Sequence, residues 1–499
     1  MKKFTWRFLE ILPGALIWLS FILPVVLSFV WPSAVATYIL IFDLFWIYKA
    51  LIVCFHLVQG YRSYRQDSVV DWRAKLDNVA SAEPYKKWQT IYHAIVLTTY
   101  KESYETLEAS IESIAQSDFP LNQVILVLAT EERDAINARA IAKKLYDKFA
   151  SHFFVFLTTE HPDGIIGEFK AKGANATWAV KQLRKLIEKK SISYDDVIVT
   201  TADADTRLHK SYLSALTYKY LIKENRTKAA YQPIIFYNNN IWHTSPLSRV
   251  IAFGNSFWVM IESVRPWRML TFSTHAMSLQ TLLDINYWEV ACVNEDSRQF
   301  WRAYFRYDGD FIVVPFYVPV FMDAVLADTQ WGTIKNQYLQ VQRWAYGIEH
   351  LPYIITTAVK DRKIPFWPKF IRIWREFDGK YSWATASIYI SFVAWLPIIF
   401  GPDFRNTVLG VNLMQIIGSL MILTWVGIII NVWLSLALLP PRPPQFRRRK
   451  FIEMVLQWVL IPIHAIFFSS IPAIDAQTRL MLGKYLGFRV TEKKALEKV

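Results

Sequence analysis

The chain has 499 residues, a formal net charge of +14 and 53% hydrophobic residues. A chain of this length can hold several domains, and its hydrophobic content is high for a purely soluble protein. With only two cysteines, Cys54 and Cys292, the sequence excludes a disulfide framework and a zinc site of the usual spacing.

Five apolar segments are each long enough to cross a lipid bilayer as a helix. They comprise residues 8–30, 34–58, 381–400, 408–440 and 451–474. The first segment differs from a cleaved signal peptide, because it leads into a second span and has no clear small-residue cleavage site. The chain is therefore predicted to be an integral membrane protein in contact with lipid.

Basic residues flank these segments on one side. They are Lys2, Lys3, Arg7, Arg62, Arg65, Arg73, Arg442, Arg447, Arg448, Arg449 and Lys450. The positive-inside rule places them in the cytoplasm, together with residues 60–380, and so predicts a protein of the cell's inner or plasma membrane. Because these residues explain much of the charge and no nucleic-acid module is recognisable, no nucleic-acid partner is predicted.

Between the second and third segments, a polar connector over 61–90 leads into alternating strands and helices. Strands are predicted over 91–100, 122–130, 152–159 and 195–205, and helices over 102–117, 131–149 and 171–189. This alternation predicts right-handed βαβ units around a mainly parallel sheet. Such sheets bind ligands beyond the carboxyl ends of their strands.

Two acids, Asp203 and Asp205, follow directly on the β-branched run of the fourth predicted strand. Strand alternation sends both side chains toward the same side of the chain. Paired carboxylates at this position suit a hard divalent cation that also holds phosphates. An Asp-rich turn with local side-chain-to-backbone bonds is the alternative, and the spacing alone leaves both interpretations open.

Two further signals follow downstream. Glu295 and Asp296 are adjacent acids, and Gln340, Arg343 and Trp344 lie together on one face at helical spacing. A helix that carries an arginine and a tryptophan can contact a phosphate and a sugar together. Taken singly, the acids also fit a solvated helix start, and the Arg–Trp pair fits an interfacial anchor.

The order Asp-x-Asp, Glu-Asp, Gln-x-x-Arg-Trp resembles the membrane-embedded family 2 glycosyltransferases, which include the cellulose and hyaluronan synthases. The resemblance covers residues 90–350, and the flanking apolar segments fit it. Residues 98–102, TTYKE, and 172–175, KGAN, are similar to the family's first-strand turn and donor-site segment. Residues 488–493 are similar to the Phe-x-Val-Thr-x-Lys gating loop of cellulose synthases.

The resemblance implies a GT-A-type, Rossmann-like α/β domain in the cytoplasm, inserted between α-helical transmembrane segments. It implies an inverting sugar transfer from a UDP- or GDP-linked donor to a growing β-linked polysaccharide, which the membrane helices export. Mg²⁺ or Mn²⁺ is the implied cofactor. A non-processive transferase with a lipid acceptor is one alternative, and a non-catalytic membrane transport or scaffold protein is another.

Each candidate site residue takes its role from this resemblance. Asp296 would be the catalytic base, Asp205 would bind the metal ion, and Trp344 and Glu295 would contact the acceptor. The donor-binding residues would be Thr99, Tyr100, Glu102, Glu131, Lys172, Asn175, Asp203, Asp205, Gln340, Arg343, Thr491 and Lys493. His275 lies in a segment that contacts the acceptor in related enzymes, and we expect a structural role for it.

The sequence departs from the family pattern at two places. Where many members have an aspartate that recognises the nucleobase, this chain offers Glu131, Glu132 and Asp134. Asn294 replaces the threonine that usually precedes the two adjacent acids. The prediction of uridine as the donor's nucleoside therefore depends on the family resemblance alone.

These assignments predict six consecutive parts of the chain. A transmembrane hairpin covers 1–60, the connector 61–90, the glycosyltransferase domain 91–350, interfacial helices 351–380, transmembrane segments 381–474 and a cytoplasmic tail 475–499. Ordinary surface helices of the soluble domain are the alternative for 351–380. In the second span, Asp43 is expected either to line a polymer path or to pair with a polar neighbour.

The C-terminal motif conflicts with five crossings. Five crossings would place the tail outside the cell, whereas a gating loop has to reach a cytoplasmic site. Either 451–474 re-enters the membrane without crossing it, or 408–440 contains a further crossing, or the motif is a coincidence. The prediction adopted is a cytoplasmic tail.

Overall fold

The structure is a computed structural model that describes residues 3–80 and 86–487. The two motif residues Thr491 and Lys493 lie outside the described residues. The chain begins with α1 (Lys3–Val30), α2 (Pro32–Asp67) and α3 (Trp72–Ala80). Pro32 sits in the first turn of α2, where its fixed φ and missing N–H suit a helix start.

Eight strands form one mixed sheet in the order β3-β2-β1-β4-β7-β6-β8-β5. They are β1 (Tyr92–Thr98), β2 (Val124–Glu131), β3 (Val155–His161), β4 (Val197–Asp203), β5 (Arg207–Leu208), β6 (Ala229–Phe236), β7 (His275–Ser278) and β8 (Ile312–Phe321). The first four strands are mutually parallel, so the predicted βαβ half of the sheet is confirmed.

The prediction of a mainly parallel sheet is confirmed, since six of these eight strands share one direction and β5 and β7 run against them. β7 runs antiparallel to both β4 and β6, and β5 runs antiparallel to β8, while β6 and β8 are parallel. The sequence did not reveal the direction of β7 because this strand inserts between two strands that are far from it in sequence. Local periodicity indicates a strand but not the direction of its neighbour.

Helices cover both faces of the sheet. They are α4 (Tyr104–Ala115), α5 (Ala135–Phe149), α6 (Lys172–Lys189), α7 (Tyr212–Ile222), α8 (Pro246–Ser263), α9 (Leu279–Asp284), α10 (Glu295–Arg306), α11 (Gln330–Ala345) and α12 (Leu351–Lys360). Alternate β1 residues enter opposite apolar clusters, Ile95 and Leu97 on one face and Ala94 and Val96 on the other. A strand buried on both faces explains the unbroken apolar run in the sequence.

The rest of the described chain is helical. It comprises α13 (Phe366–Phe392), α14 (Leu396–Phe400), α15 (Val408–Met421), α16 (Trp425–Ala437), α17 (Lys450–Leu456), α18 (Ile461–Ala465) and α19 (Ile471–Met481). Helix α13 continues without interruption through residue 380, where the sequence predicted a boundary between interfacial and transmembrane segments. Residues 366–380 are therefore the first part of a long helix.

Five helices of the described chain are long and apolar enough to cross a membrane. They are Phe4–Val30, Pro32–Asp67, Phe366–Phe400, Val408–Ala437 and Lys450–Met481. These helices match the five apolar segments of the sequence. In the second of them, Asp43 is fully buried, and neither carboxylate oxygen has a hydrogen-bond partner among the described residues. This leaves the predicted polar partner of Asp43 unsupported.

The last of these helices, Lys450–Met481, lies against the α/β domain along much of its length; we call it the lateral helix. In its first half, Gln457 accepts a hydrogen bond from Arg249 of α8 at 2.6 Å. In its second half, Asp475 accepts one from Tyr338 of α11 at 3.2 Å. Both halves of the lateral helix therefore contact the same domain.

Candidate active site

One cleft opens at the carboxyl ends of the parallel strands. It is lined by every described residue that the sequence predicted for the site: Thr99, Tyr100, Glu102, Glu131, Lys172, Asn175, Asp203, Asp205, Glu295, Asp296, Gln340, Arg343 and Trp344. Thr98 at the end of β1 pairs in register with Asp203 at the end of β4. Parallel pairing thus brings turns that are distant in sequence to the same edge.

Asp203 lies between a cation and a hydroxyl group. Its Oδ1 accepts a hydrogen bond from Lys172 Nζ at 2.5 Å, and its Oδ2 accepts one from Ser273 Oγ at 3.0 Å. Lys172 is the first residue of α6, so the start of that helix places its ammonium group at the strand end. Asp203 is consequently held in one orientation.

Asp205 is buried in the same cleft, two residues beyond Asp203. Its Oδ2 accepts the backbone N–H of Asp323 at 3.0 Å, and its own carbonyl accepts a hydrogen bond from Asn239. Two carboxylates from one strand end are the hard oxygen donors that Mg²⁺ and Mn²⁺ bind. The donor set therefore fits a divalent cation.

Glu295 and Asp296 form the first turn of α10, where a helix favours negative charge. Asp296 Oδ2 accepts the backbone N–H of Ser273 at 2.8 Å, and Oδ1 accepts that of Ser297 at 2.7 Å. Glu295 is only 5% exposed, which excludes the interpretation of this motif as a solvated helix start. The motif instead places a buried Glu295 and a partly exposed Asp296 at the cleft.

The charges in the cleft influence one another. Burial raises the pKa of Glu295 to about 8, and the charge of Asp296 adds to the rise. Burial lowers the pKa of Arg343, although nearby Glu295 and Asp203 oppose this effect. For Lys172, burial favours the neutral amine, but Asp203 and Glu295 outweigh it and hold the pKa above its usual value. Near pH 7, Glu295 therefore keeps its proton.

We expect Glu295→Gln to become increasingly stabilising relative to the wild type as pH rises from about 5 to 8. In this range unfolded Glu295 loses its proton near its ordinary pKa of 4.5, while the folded side chain keeps it up to about 8. Unfolding therefore releases a proton, and the wild type loses stability as pH rises. Thermal unfolding midpoints of both proteins across this range measure the effect. Glu224→Gln, at an exposed position, is the control; a constant difference between Glu295→Gln and wild type would contradict the buried acid.

The end of α11 forms the opposite wall with Gln340, Arg343 and Trp344, so their predicted helical spacing is confirmed. Lys380 of α13 donates a hydrogen bond to the carbonyl of Trp344 at 3.3 Å. This contact places the wall of the cleft directly beside a helix that is apolar enough to span a membrane.

Beyond β2, a stacked pair occupies the region where the sequence departs from the family pattern. The guanidinium of Arg133 lies 3.7 Å from the ring centroid of Tyr100 and forms an ion pair with Glu131. Asp134 points elsewhere, since its Oδ2 accepts the backbone N–H of Lys101 at 2.9 Å. Of the three acids offered by the sequence, only Glu131 lines the cleft.

Ser273 is the main site residue that sequence reasoning missed. It contacts both Asp203 and Asp296, and its carbonyl lies 3.5 Å from Lys172 Nζ. Its φ of 48° is unusual for a residue other than glycine, and such strain is often found at functional sites. Nothing in the local sequence signals this conformation. Nearby His275 is buried and bonds Gln299 at 2.7 Å, which fits its expected structural role.

Comparison with known proteins adds one deciding observation. The model of the family described as "Glycosyl transferase family group 2" matches residues 198–470, which is more than half of the chain. The chain belongs to the family 2 glycosyltransferases. The mixed sheet between apolar helices agrees with the GT-A-type fold predicted for such an enzyme. Family membership favours a glycosyltransferase over a non-catalytic transport or scaffold protein.

Three solved glycosyltransferase structures are remotely similar to this enzyme. The Pyrobaculum calidifontis mannosyltransferase PcManGT, in complex with GDP-Man and Mn²⁺, is 13% identical over 77% of this chain and 99% of its own, with a TM-score of 0.39. GalNAc-T7 with UDP, GalNAc and Mn²⁺ is 9% identical over 60% and 59%, with a TM-score of 0.34. S. aureus TarS 1–349 is 10% identical over 67% and 90%, with a TM-score of 0.33. No curated protein matches this family 2 glycosyltransferase.

Proposed function

We propose that this glycosyltransferase moves a sugar from a nucleoside-diphosphate donor to the hydroxyl group of a growing β-linked polysaccharide, with inversion at the anomeric carbon. The observation that carries the proposal is the cleft itself. Acids from β4 and α10 face an arginine and a tryptophan from α11 within a single space. That combination suits a diphosphate, a sugar and a proton acceptor at once.

The chemistry follows from the positions of these residues. The acceptor oxygen bonds to the anomeric carbon as the bond from that carbon to the diphosphate breaks, and Asp296 takes the acceptor's proton. Arg343, Gln340 and Lys172 bind the diphosphate and stabilise its developing charge. A Mg²⁺ or Mn²⁺ ion held by Asp205 would supply Lewis-acid stabilisation of the leaving group.

The donor and acceptor occupy opposite parts of the cleft in this proposal. Thr99, Glu102 and Asn175 lie at the strand ends and would contact the donor. Tyr100 and Glu131 lie beside the stacked Arg133. They would contact the nucleobase of the UDP- or GDP-linked donor. Glu295, protonated near pH 7, would donate a hydrogen bond to the acceptor near Trp344.

The basic residues that flank the apolar helices support a cytoplasmic position for the cleft, at the inner or plasma membrane. Export of the product through the helices, as in cellulose and hyaluronan synthases, is part of the same proposal. The parts of the chain predicted from the sequence, with a transferase domain over 91–350, remain the proposed organisation, except that residues 366–380 belong to the long helix α13. A lipid acceptor is the second candidate, because Lys380 ties the Trp344 wall to a membrane helix.

The test is nucleoside-diphosphate release by the purified protein from UDP- and GDP-sugars, with Mg²⁺ and with Mn²⁺. Diphosphate release that occurs with one donor class and depends on an added acceptor supports the proposal. No diphosphate release with any donor contradicts it. Product length then separates the two acceptors. Long chains formed at low enzyme concentration support a polysaccharide, whereas one added sugar on extracted lipid supports the second candidate.

We expect Trp344→Ala to raise the acceptor KM about tenfold to a hundredfold. The alanine removes the stacking surface for the sugar, and the comparable stacking of a nucleobase on an aromatic side chain contributes roughly 1–3 kcal/mol. The donor KM should stay close to the wild-type value, since Trp344 is assigned to the acceptor. Initial rates at varied acceptor and fixed donor measure the change. Trp331→Ala on the same helix is the matched control, because Trp331 is 74% exposed. An unchanged acceptor KM in Trp344→Ala would contradict the assignment.

A further inference from the structure

Behind the cleft, a polar network joins two segments, of which one contributes residues to the proposed chemistry and the other does not. One is the loop 292–297, which carries Glu295 and Asp296. The other is the turn Tyr346–His350, which directly follows α11. His350 is fully buried, and Cys292 is only 3% exposed. The contact between these segments therefore belongs to the interior of the protein.

A single oxygen of Glu349 accepts hydrogen bonds from three successive residues of the loop. Glu349 Oε1 accepts the backbone N–H of Val293 at 3.0 Å and that of Asn294 at 3.1 Å. It also accepts a hydrogen bond from the thiol of Cys292, with 3.2 Å between Sγ and Oε1. Burial raises the pKa of the Cys292 thiol well above its usual value, so the thiol keeps its proton and can donate it.

Two further hydrogen bonds hold the loop on either side of the adjacent acids. Asn294 Nδ2 donates to the carbonyl of Arg343 at 3.1 Å. Asn294 stands at the N-cap position of α10 but makes no side-chain capping bond there. Ser297 Oγ lies 3.0 Å from His350 Nε2. The loop is thus attached to the Arg–Trp helix and to the turn that follows it.

The same cluster could be considered a metal site, since Cys292, Glu349 and His350 offer ligand atoms within 4.8 Å of one another. Its contacts argue otherwise. The Glu349 oxygen already accepts three donors, and the charged guanidinium of Arg298 lies close enough to lower the pKa of His350, after burial as the main cause. A metal cation bound there would be repelled by the positive charge of Arg298.

We propose that Glu349 is a positioning residue of this glycosyltransferase. It fixes the loop of Glu295 and Asp296 against the helix of Arg343 and Trp344, so that the proton acceptor and the diphosphate contacts keep one mutual geometry. The inference rests on the proposed function for its catalytic consequence, but not for the loop attachment.

The kinetic test compares Glu349→Ala with Glu349→Gln. The alanine variant removes the accepting oxygen, and we expect its kcat to fall about tenfold to a hundredfold, the range for a displacement of about 1 Å of a catalytic group. The donor KM should change little, because Glu349 lies outside the cleft. Glutamine retains one carbonyl oxygen and should restore most of kcat. Thr356→Ala, which removes a buried hydrogen bond from neighbouring α12, is the matched control.

Hydrogen–deuterium exchange of the full-length protein tests the attachment without any activity. The peptide that contains Val293 and Asn294 should exchange faster in Glu349→Ala than in wild type, and at the wild-type rate in Glu349→Gln. If the wild type transfers no sugar, the proposed function fails while this result still supports the attachment. Unchanged exchange in Glu349→Ala overturns the inference. Equal losses of kcat and thermal midpoint in both variants overturn it as well, because they indicate a merely structural role.

Discussion

Asp296→Asn is expected to lower kcat for sugar transfer by about 10³-fold, within the usual range for loss of a general base. The amide cannot take the acceptor's proton near neutral pH. Its oxygen can still accept the N–H of Ser273 or Ser297, the two contacts that hold the side chain in place. Donor affinity should therefore stay close to wild type. Product formation and equilibrium binding of the donor measure the two effects separately.

Asp310→Asn is the matched control for this variant. Asp310 pairs with Lys228 on the surface, and its side chain is 60% exposed, so the same chemical change should leave transfer intact. Transfer by Asp296→Asn at close to the wild-type rate would remove Asp296 as the base. Loss of donor binding along with kcat would indicate instead that the substitution disrupts the loop.

Asp205→Asn is expected to raise the Mg²⁺ or Mn²⁺ concentration needed for half-maximal activity by about a hundredfold or more. The substitution removes a charged ligand, and even changes to residues that only orient a ligand lower metal affinity by about 10-fold to 100-fold. The asparagine oxygen can still accept the N–H of Asp323, which limits any structural change. Activity is measured across a metal titration after treatment with a chelator.

The control for the metal prediction is Asp308→Asn, which alters a surface pair with Lys363. It should give the wild-type metal response. If chelation leaves wild-type transfer unchanged, or if Asp205→Asn responds to metal like the wild type, then Asp205 does not hold a cation that the reaction needs.

The first half of the domain was well predicted because its signals are local. Apolar runs buried on both faces identify β1, β2 and β4, and amphipathic helices separate them. The second half depends on pairing between distant strands, so periodicity could not reveal that β7 runs antiparallel between β4 and β6. The course of the lateral helix was likewise left open, since its composition alone fits a membrane span.

The candidate site divides in a similar way. Residues within short motifs, such as Asp205 and Arg343, were predicted by type and spacing, and the structure brings them into one cleft. Their roles stay predictions. Ser273 and Glu349 were missed because their importance arises from contacts with residues far away in sequence. No local sequence pattern predicts the positive φ of the serine or the contact of the glutamate with a distant loop.

The lateral helix has a mechanical consequence. Its polar contacts with the domain at Gln457 and Asp475 are separated by roughly 27 Å along a helix of 1.5 Å rise per residue. A body fastened at two such distant points cannot rock about a single pivot. We therefore expect substrates to enter the cleft through small movements of the surrounding turns.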